Sequence, residues 1–543
     1  VGCSVLLISP ALFVFVVLPI VNFHRVYTTA ACCASLAIHV QSCLSKFSPK
    51  HTEEIKNKMV DTAEAEQLIR QGLLRRTVVT DGSSPSADSD MLSDGIHSYE
   101  KITKSAISQK LKLFTLKTLI PTFLILVMPN LVILIWFAGI HCDGNYSKML
   151  SFFANRSILT GLSEIWTLVR YPSVPIIGIF ISYCIYSLSM MKILPGPIVY
   201  GPVTPKGNTP VYTDNGFTFY ILTLTLFWVF TFLLHPFGIS PSIIYDRFDE
   251  VLFTLNVFSL IFCAFLYVKG KYFPTSADSG STGNIIFDYY WGMELYPKVY
   301  GFDVKVFTNC RFGMMVWALL VCVYAVKSYE LYGIVDSMFV STFLQLLYIT
   351  KFFWWESGYM RTIDIILDRA GFYICWGCLV YVPGLYASVS FYLVSHPVNL
   401  GLIISGIFLC LGTLSIYINF AADNQKQEVR HADGNCLVWG RKPEIIRAKY
   451  HLENGDMKES ILLASGWWGL SRHFHYIPEI MLAFFWSAPA LFNNLMPYTY
   501  LISLLILLVH RSYRDDSKCN NKYGIFWLEY CKKVPHKIVP FLF

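Results

Sequence analysis

Apolar runs of about 20 residues, the length that spans a bilayer as a helix, recur along this chain and constrain its fold more than any other feature. Such runs are too long and too uniformly apolar for the alternating pattern of a soluble domain. We therefore predict an all-α, polytopic membrane protein with nine to ten transmembrane helices. The predicted spans cover 116–140, 172–193, 217–235, 250–269, 312–328, 334–352, 372–394, 399–419 and a pair within 477–509.

The composition agrees with this fold and argues against two other classes of protein. Of the 543 residues, 54% are hydrophobic and only 15% are charged, whereas soluble domains carry about 25% charged residues. The formal net charge of +7 is modest for this length, and no dense basic stripe predicts a nucleic-acid partner. The 15 cysteines are scattered, many of them inside apolar runs, which favours reduced packing residues over a disulfide framework.

The first 110 residues differ in character from the rest of the chain. Residues 1–22 are apolar and predict a span or a signal-like anchor, and the Ser- and Asp-rich stretch 80–95 predicts a disordered linker. We therefore divide the chain into an N-terminal extension, 1–110, and a membrane domain, 111–543. The sequence assigns no function to the extension.

The densest polar segment follows the last apolar run. Leu501–Val509 closes on His510 and Arg511, as expected where a helix reaches the lipid headgroups. The following segment, up to Tyr530, is rich in cations, carboxylates and phenols and is interrupted by Gly524. It offers fixed charges and hydrogen-bond donors at the mouth of a membrane cavity.

Residues 510–530 have the form H-R-x-x-R-D-x-x-x-C-x-x-K-Y-G-x-x-W-x-x-Y and resemble the C-terminal signature of the sterol reductase family. A second segment, FDYYWGMELYPKV at 287–299, resembles the other signature of that family. The resemblance extends over 113–543. It implies an enzyme of the endoplasmic reticulum membrane that reduces a double bond of the sterol nucleus with NADPH, bound mainly by residues from about 420 to 543.

Three stretches resemble the Δ7 branch of the family, especially its plant-type members. They are 294–318, 351–383 and 465–480. This branch reduces the C7–C8 double bond of 5,7-diene sterols, a late step of sterol biosynthesis. The implied partners are the sterol and the lipid bilayer, and other enzymes of sterol biosynthesis are candidates.

Two other functions remain compatible with these patterns. A Δ14-sterol reductase would carry both signatures. A non-catalytic sterol-binding or scaffold protein of the lamin B receptor type would share the architecture. The Arg-Ser repeats of that branch are missing from 46–110, where the charge is mixed.

The phosphates of a dinucleotide would have to be held by side-chain cations, because no G-x-G-x-x-G occurs in a strand-to-helix context. Lys426 and Arg430 are four residues apart and share one helix face, and arginine suits phosphate geometry. Composition alone favours charges that only orient the protein in the membrane. The resemblance instead implies that NADPH is contacted by Lys426, Arg430, Leu463, Trp468, His475, Tyr476, Asp515, Cys519, Asn520, Asn521, Lys522, Tyr523 and Tyr530.

A metal site is not predicted. His473 and His475 could suggest a pair of ligands, but no cysteine or carboxylate accompanies them at ligand spacing.

Acidic residues among aromatics predict the sterol side of the site, because acids near membrane depth are costly and often functional. The candidate substrate-binding residues are Asp288, Glu294, Glu356, Asp364 and Asp368. Arg361 and Arg369 could instead satisfy Asp364 and Asp368, which would make that pair structural.

The reaction also requires a proton donor, because an isolated alkene accepts hydride poorly unless it is protonated. Tyr348 is the first candidate, since a phenol can donate a proton without first burying a charge. Asp515 and Tyr530 are the second candidates, as a relay on the cofactor side.

Overall fold

The computed structural model describes residues 113–542 except 205, 452–454 and 456. From Leu116 onward these residues belong to one compact unit. The predictions made for 1–110, including the anchor at 1–22 and the linker at 80–95, lie outside the described residues.

Helices dominate the described part of the chain, which confirms the predicted fold class. In chain order the α-helices are α1 (Ile120–His141), α2 (Tyr146–Ala154), α3 (Ile158–Leu168), α4 (Val174–Ile193), α5 (Gly216–Leu234), α6 (Ile243–Asp246), α7 (Phe248–Tyr272), α8 (Ile285–Trp291), α9 (Met315–Tyr332), α10 (Asp336–Trp354), α11 (Glu356–Tyr359), α12 (Ile363–Ile366), α13 (Ser388–Ser395), α14 (Gly401–His431), α15 (Trp467–Leu470), α16 (Tyr476–Ser487), α17 (Thr499–Tyr523) and α18 (Ile525–Lys533).

Several of these helices are extended by turns of other helical types. Segments of π-helix cover Thr115–Leu119, Val306–Met314 and Phe372–Tyr386, and 3₁₀ turns cover His235–Phe237, Ala488–Ala490 and Met496–Tyr498.

Seven helical segments in the described residues are long and apolar enough to cross a membrane. Each coincides with one of the predicted spans. The segments are Thr115–His141, Val174–Ile193, Gly216–Phe237, Phe248–Tyr272, Val306–Tyr332, Phe372–Ser395 and Gly401–His431.

The prediction of nine to ten spans includes further stretches that do not meet this criterion of length and apolar character. The stretch 334–352 forms α10, but polar residues such as Asp336, Gln345 and Lys351 interrupt its apolar character. The pair within 477–509 forms α16, which has only 12 residues, and the first half of α17, whose second half is highly charged. These helices pack against other helices of the bundle.

Two π-helical segments, Val306–Met314 and Phe372–Tyr386, pack against each other near the centre of the bundle. The backbones approach closely, because a Cβ at Gly313 would lie 3.0 Å from the carbonyl oxygen of Cys378. Trp317 and Trp376 lie fully buried beside this contact. Wide helical turns are rare and often occur near functional sites, and this pair borders the aromatic region described below.

Strands in the described residues form three two-stranded antiparallel sheets. They are β1 (Ile198–Tyr200) with β2 (Val211–Thr213), β3 (Lys298–Val299) with β4 (Phe302–Asp303), and β5 (Ile445–His451) with β6 (Met457–Leu463).

The β5–β6 hairpin is the strand element that positions the candidate site. Ile445 pairs with Leu463 at one end and His451 with Met457 at the other. Its apolar face, including Ile446 and Leu462, packs on Trp527 and Tyr530 of α18. The hairpin was not predicted, and it holds the C-terminal signature against the end of α14.

Candidate active site

The C-terminal signature forms one continuous helix, α17, up to Tyr523. Gly524 then adopts a φ of +53°, a left-handed conformation that favours glycine and ends the helix. The indole nitrogen of Trp527 donates to Asp516 Oδ1 at 3.1 Å, which folds α18 back onto α17. On α17, helical periodicity places Arg511, Arg514 and Lys518 on one face and Asp515, Cys519 and Lys522 on the adjacent face.

The first face of α17 meets residues 363–368, which we call the acidic loop. Arg511 Nη2 donates to Asp364 Oδ1 at 2.6 Å. Arg514 Nη2 donates to Asp368 Oδ1 at 2.6 Å, and both side chains of this second pair are buried. The acidic loop is therefore fixed directly to the signature helix.

These contacts correct the predicted neutralisation of Asp364 and Asp368 by Arg361 and Arg369. The partners instead come from α17, far along the chain. The guanidinium of Arg369 points elsewhere and donates to the carbonyl oxygen of Gly280 at 2.6 Å.

A buried lysine supports the acidic loop from the opposite side. Lys305 Nζ donates to the carbonyl oxygens of Ile365 at 2.7 Å and Asp364 at 3.3 Å. Burial lowers the pKa of Lys305 to about 8, and burial raises the pKa of Asp368 in spite of Arg514 beside it. The loop is thus held by internal hydrogen bonds and ion pairs.

The second face of α17 borders a group of side chains, most of them predicted to contact a cofactor, that we call the cofactor cleft: Lys426, Trp468, His473, His475, Asp515 and Cys519. The ammonium of Lys426 lies 3.7 Å from the centre of the Trp468 ring, a cation–π contact. The Trp468 indole donates to the carbonyl of Ala422 at 2.7 Å. Tyr530, predicted to act here, donates from its hydroxyl to the carbonyl of Trp468 at 3.3 Å.

Two buried imidazoles of the cofactor cleft carry nitrogen atoms without a hydrogen-bond partner among the described residues: Nε2 of His473 and Nδ1 of His475. His473 Nε2 lies 4.0 Å from Asp515 Oδ2, beyond hydrogen-bond distance. Burial lowers the pKa of His473 to about 4 and that of His475 well below its ordinary value. Both rings are therefore neutral near pH 7, and each carries a buried nitrogen that accepts or donates no hydrogen bond among the described residues.

Three lysines surround Cys519 in the same region. Lys426, Lys518 and Lys522 all act electrostatically on its thiol, whose pKa is raised to about 12 by burial and then by Asp515. Burial lowers the pKa of Lys518, and the Lys522 ammonium lies 4.0 Å from the centre of the Tyr450 ring. Such a group of cations suits phosphate.

The remaining predicted cofactor residues lie around this cluster. Leu463 is buried beside Trp468, and Tyr476 is buried with its ring 4.4 Å from that of His475. Arg430 is exposed, and its Nε donates to the carbonyl of Ile461 at 3.3 Å. Tyr523 packs against the β5–β6 hairpin. Asn520 and Asn521 are exposed on the last turn of α17.

Tyr348, the predicted proton donor, is linked to the cofactor cleft by a short series of hydrogen bonds. Its hydroxyl donates to Glu479 Oε1 at 2.6 Å. Asn419 Nδ2 donates to Glu479 Oε2 at 2.9 Å and to the carbonyl oxygen of His475 at 3.0 Å. The ammonium of Lys351 in turn donates to Asn419 Oδ1.

Aromatic rings surround Tyr348 on its other sides. Ring centroids of Trp317 and Trp486 lie 5.8 Å and 5.5 Å from that of Tyr348. Tyr386 and Tyr500 complete the group, with centroids 4.6 Å apart. Large aromatic side chains with few polar groups are typical of a site for a flat apolar ligand.

The other predicted substrate-binding acids are engaged with protein donors. Asp288 accepts from the backbone nitrogen and the hydroxyl of Thr282 at 2.9 and 2.8 Å. Glu294 pairs with Lys269 at 2.7 Å, and Glu356 pairs with buried Arg311. All three carboxylates are almost fully buried, so their contacts favour structural roles.

Sequence reasoning did not single out Glu479, Asn419 and Lys351, which join Tyr348 to the cofactor cleft. Glu479 had a usable signal, because a single acid interrupts the apolar segment IPEIMLAFFW directly after the histidine motif. Asn419 and Lys351 lie in helices where nothing nearby marks them. Among the residues that the structure describes, no group of three or more His, Cys, Asp or Glu could hold a metal ion.

Comparison with known proteins identifies the class. Residues 102–543 match the Ergosterol biosynthesis ERG4/ERG24 family. A 7-dehydrocholesterol reductase of Arabidopsis thaliana is 51% identical over 419 residues, which cover 76% of this chain and 94% of the relative. The protein therefore belongs to the ERG4/ERG24 sterol reductase family, as its two signatures predicted.

More distant relatives include both specificities. A 7-dehydrocholesterol reductase of Xenopus laevis is 35% identical over 70% of this chain and 83% of its own length. A Delta(14)-sterol reductase of Methylotuvimicrobium alcaliphilum is 33% identical over 77% of this chain and 93% of its own length. Membership makes the chain a membrane-embedded oxidoreductase and implies a reduced nicotinamide cofactor.

Proposed function

We propose that this protein reduces the C7–C8 double bond of 5,7-diene sterols with NADPH in the endoplasmic reticulum membrane. The observation that carries the proposal is the link from Tyr348 through Glu479 and Asn419 to the backbone of the cofactor cleft. The 51% identity to a 7-dehydrocholesterol reductase supports the Δ7 position over the Δ14 position, since the Delta(14)-sterol reductase named above is 33% identical.

The side chains of the cofactor cleft support a nicotinamide dinucleotide as its ligand. Buried His473 Nε2 and His475 Nδ1 lack hydrogen-bond partners in the described part of the chain, as expected of groups that a polar ligand satisfies. Lys426, Lys518 and Lys522 supply cations for phosphates. We assign recognition of the 2′-phosphate, and hence NADPH rather than NADH, to this excess of positive charge.

Different residues are assigned different roles in the proposed reaction. NADPH, when bound, supplies the hydride. The aromatic group around Tyr348 orients the sterol and excludes water, and the Tyr348 hydroxyl donates the proton to the alkene. Asp515 and Tyr530 remain the second candidates for proton transfer, and their contacts with His473 and the Trp468 carbonyl also suit a role in holding the cofactor.

Expression in yeast that accumulates 5,7-diene sterols tests the proposal. Gas chromatography of the sterols should reveal products saturated at C7–C8, and the same strain carrying an empty vector should retain the diene. A second strain, which accumulates sterols with a C14–C15 double bond, tests the Δ14 alternative, and reduction of that bond alone would assign the Δ14 function. Unchanged sterols in both strains, with the full-length protein present in their membranes, would favour the non-catalytic alternative.

A further inference from the structure

We propose that Glu479 holds the proton that replaces the one Tyr348 gives to the sterol. This inference rests on the proposed function and deepens it. Glu479 acts through Tyr348 and is therefore a positioning residue.

The proton of the Tyr348 phenol can point either to Glu479 or to the substrate, but not to both. The phenol has one proton, and with an ionised carboxylate at 2.6 Å that proton points to Glu479 Oε1. A phenol in this state cannot donate to an alkene at the same time. If Glu479 is protonated, the carboxyl donates to the phenol oxygen and the Tyr348 proton is free to face the substrate.

The partners of Glu479 suit a protonated carboxyl. They are neutral groups, the Tyr348 phenol on Oε1 and the Asn419 amide on Oε2. Glu294, Glu356, Asp364 and Asp368 instead each form a direct ion pair with a lysine or an arginine. Glu479 thus differs from these four acids in lacking a cation among its hydrogen-bond partners.

Charged and titratable groups from three helices face Glu479. They are Lys351 and Tyr348 of α10, Asp423 of α14, and Arg511 and Tyr500 of α17. The ammonium of Lys351 donates a hydrogen bond to Asn419 rather than to Glu479. The ionisation of Glu479 therefore depends on several groups, of which two are cations and one is an acid.

The proposed step balances in atoms and charge. The phenol O–H bond of Tyr348 breaks as a C–H bond forms on the sterol, and the carboxyl proton of Glu479 moves to the phenol oxygen. The electron pair of the second new C–H bond arrives as hydride from the reduced nicotinamide. Glu479 ends as a carboxylate and regains a proton before the next turnover.

The test compares the full-length parental protein with Glu479→Gln, which keeps the size of the side chain but cannot release a proton. We expect kcat for the 5,7-diene to fall at least about tenfold, within the range of general acid catalysis. KM for NADPH should change less than about twofold, since only the proton supply is altered. Parental turnover should fall as pH rises through the pKa of Glu479, and the variant should lack this alkaline limb.

The double variant Tyr348→Phe/Glu479→Gln separates a chemical from a structural role. Residues that act as one unit are not additive, so the double variant should be no slower than Tyr348→Phe. Losses that multiply in the double variant, or an alkaline limb retained in Glu479→Gln, would overturn the inference. Parental turnover by Glu479→Gln would do the same.

The remaining outcomes separate this inference from the proposed function. Parental protein that reduces the C7–C8 bond upholds the function whatever the variants do, and parental protein that reduces no sterol overturns both. If Glu479→Gln does not fold, Glu479→Asp replaces it as the test. This variant keeps the carboxyl group but moves it away from Tyr348, because the side chain is shorter. Its turnover should also fall at least about tenfold, and parental turnover in Glu479→Asp would contradict the inference.

Discussion

The acidic loop and the cofactor cleft lie against adjacent faces of α17, but the partners of their titratable side chains differ. In the acidic loop, Asp364 and Asp368 each have an arginine at 2.6 Å. In the cofactor cleft, His473 and His475 are buried with a nitrogen atom that lacks a hydrogen-bond partner. The charges of the acidic loop are thus paired within the protein, although Asp368 Oδ2 also lacks a hydrogen-bond partner among the described residues. We expect the cleft, in contrast, to be completed by a ligand.

The energetics of burial support this division. Removing one partner of a buried ion pair is costly because the other charge is left in a region of low dielectric. An unsatisfied buried polar atom costs about 1–3 kcal/mol, so such atoms call for an explanation, of which a bound ligand or water is one. We therefore expect the signature helix to carry residues for stability on one face and residues for ligand recognition on the other.

The largest effect is expected at Tyr348. This residue is an exception to the contrast between the two regions, because it has a hydrogen-bond partner in the protein and is still proposed to react. Tyr348→Phe keeps the ring and removes only the hydroxyl. Turnover should fall by about 10²–10⁴-fold, the usual contribution of a positioned general acid, while NADPH affinity stays near the parental value. Single-turnover sterol reduction with a separate NADPH titration measures both. Full activity would transfer the proton donor to Asp515 and Tyr530.

The next effect concerns stability in the acidic loop. Asp368→Asn removes the carboxylate charge 2.6 Å from the buried guanidinium of Arg514, and disrupting a buried ion pair costs about 3–5 kcal/mol. The unfolding midpoint of the detergent-purified protein should therefore fall markedly. The matched control is Asp364→Asn, whose pair with Arg511 is about one quarter exposed and should cost less. A larger decrease of the unfolding midpoint in Asp364→Asn than in Asp368→Asn would contradict the greater contribution that we assign to the buried pair.

Substitution of a cation of the cofactor cleft should instead lower the affinity for NADPH and leave stability nearly unchanged. Lys426→Gln removes a cation whose assigned partner is the cofactor, and a charged hydrogen bond contributes about 1.5–3 kcal/mol. NADPH should bind about tenfold to a hundredfold more weakly, with little change in the unfolding midpoint. Arg447→Gln is the control, because this exposed arginine already pairs with Asp433 and Glu459. Equal affinity in Lys426→Gln and parent would remove Lys426 from the site.

The smallest effect is a dependence of stability on pH. The folded pKa of His473 is lowered to about 4 from an ordinary value of 6.5 by burial. Between these values the unfolded chain binds a proton that the folded chain does not, so stability is lost as pH falls from about 6.5 to about 4. The unfolding midpoint should decrease less over this window in His473→Gln. Identical pH curves for variant and parent would show that His473 does not titrate in this way.

Much of the fold could be predicted because each helix carries its own apolar run. Seven predicted spans coincide with apolar helices of the described chain. The remaining predicted spans fall on α10, α16 and α17, which are helices but are short or mix polar residues with apolar ones. Gly524 was recognised as an interruption, and its positive φ explains why α17 ends there.

The contacts within the site were less predictable because they join distant segments. Local spacing suggested Arg361 and Arg369 as partners of Asp364 and Asp368, but the arginines of α17 lie 147 and 146 residues away in the chain. Glu479 and Tyr348 are likewise separated by 131 residues. Sequence patterns identified the residue types of the site, while the packing of helices decided which of them meet.

The most direct test of the comparison measures NADPH affinity and unfolding midpoint together on Lys426→Gln and Asp368→Asn. We predict that Lys426→Gln loses affinity at a nearly parental midpoint, because its assigned partner is the ligand. Asp368→Asn should lose stability while its folded fraction retains nearly parental affinity. A reversed pattern, or parallel loss of both quantities in both variants, would contradict the separation of an ion-paired acidic loop from a cofactor cleft that a ligand completes.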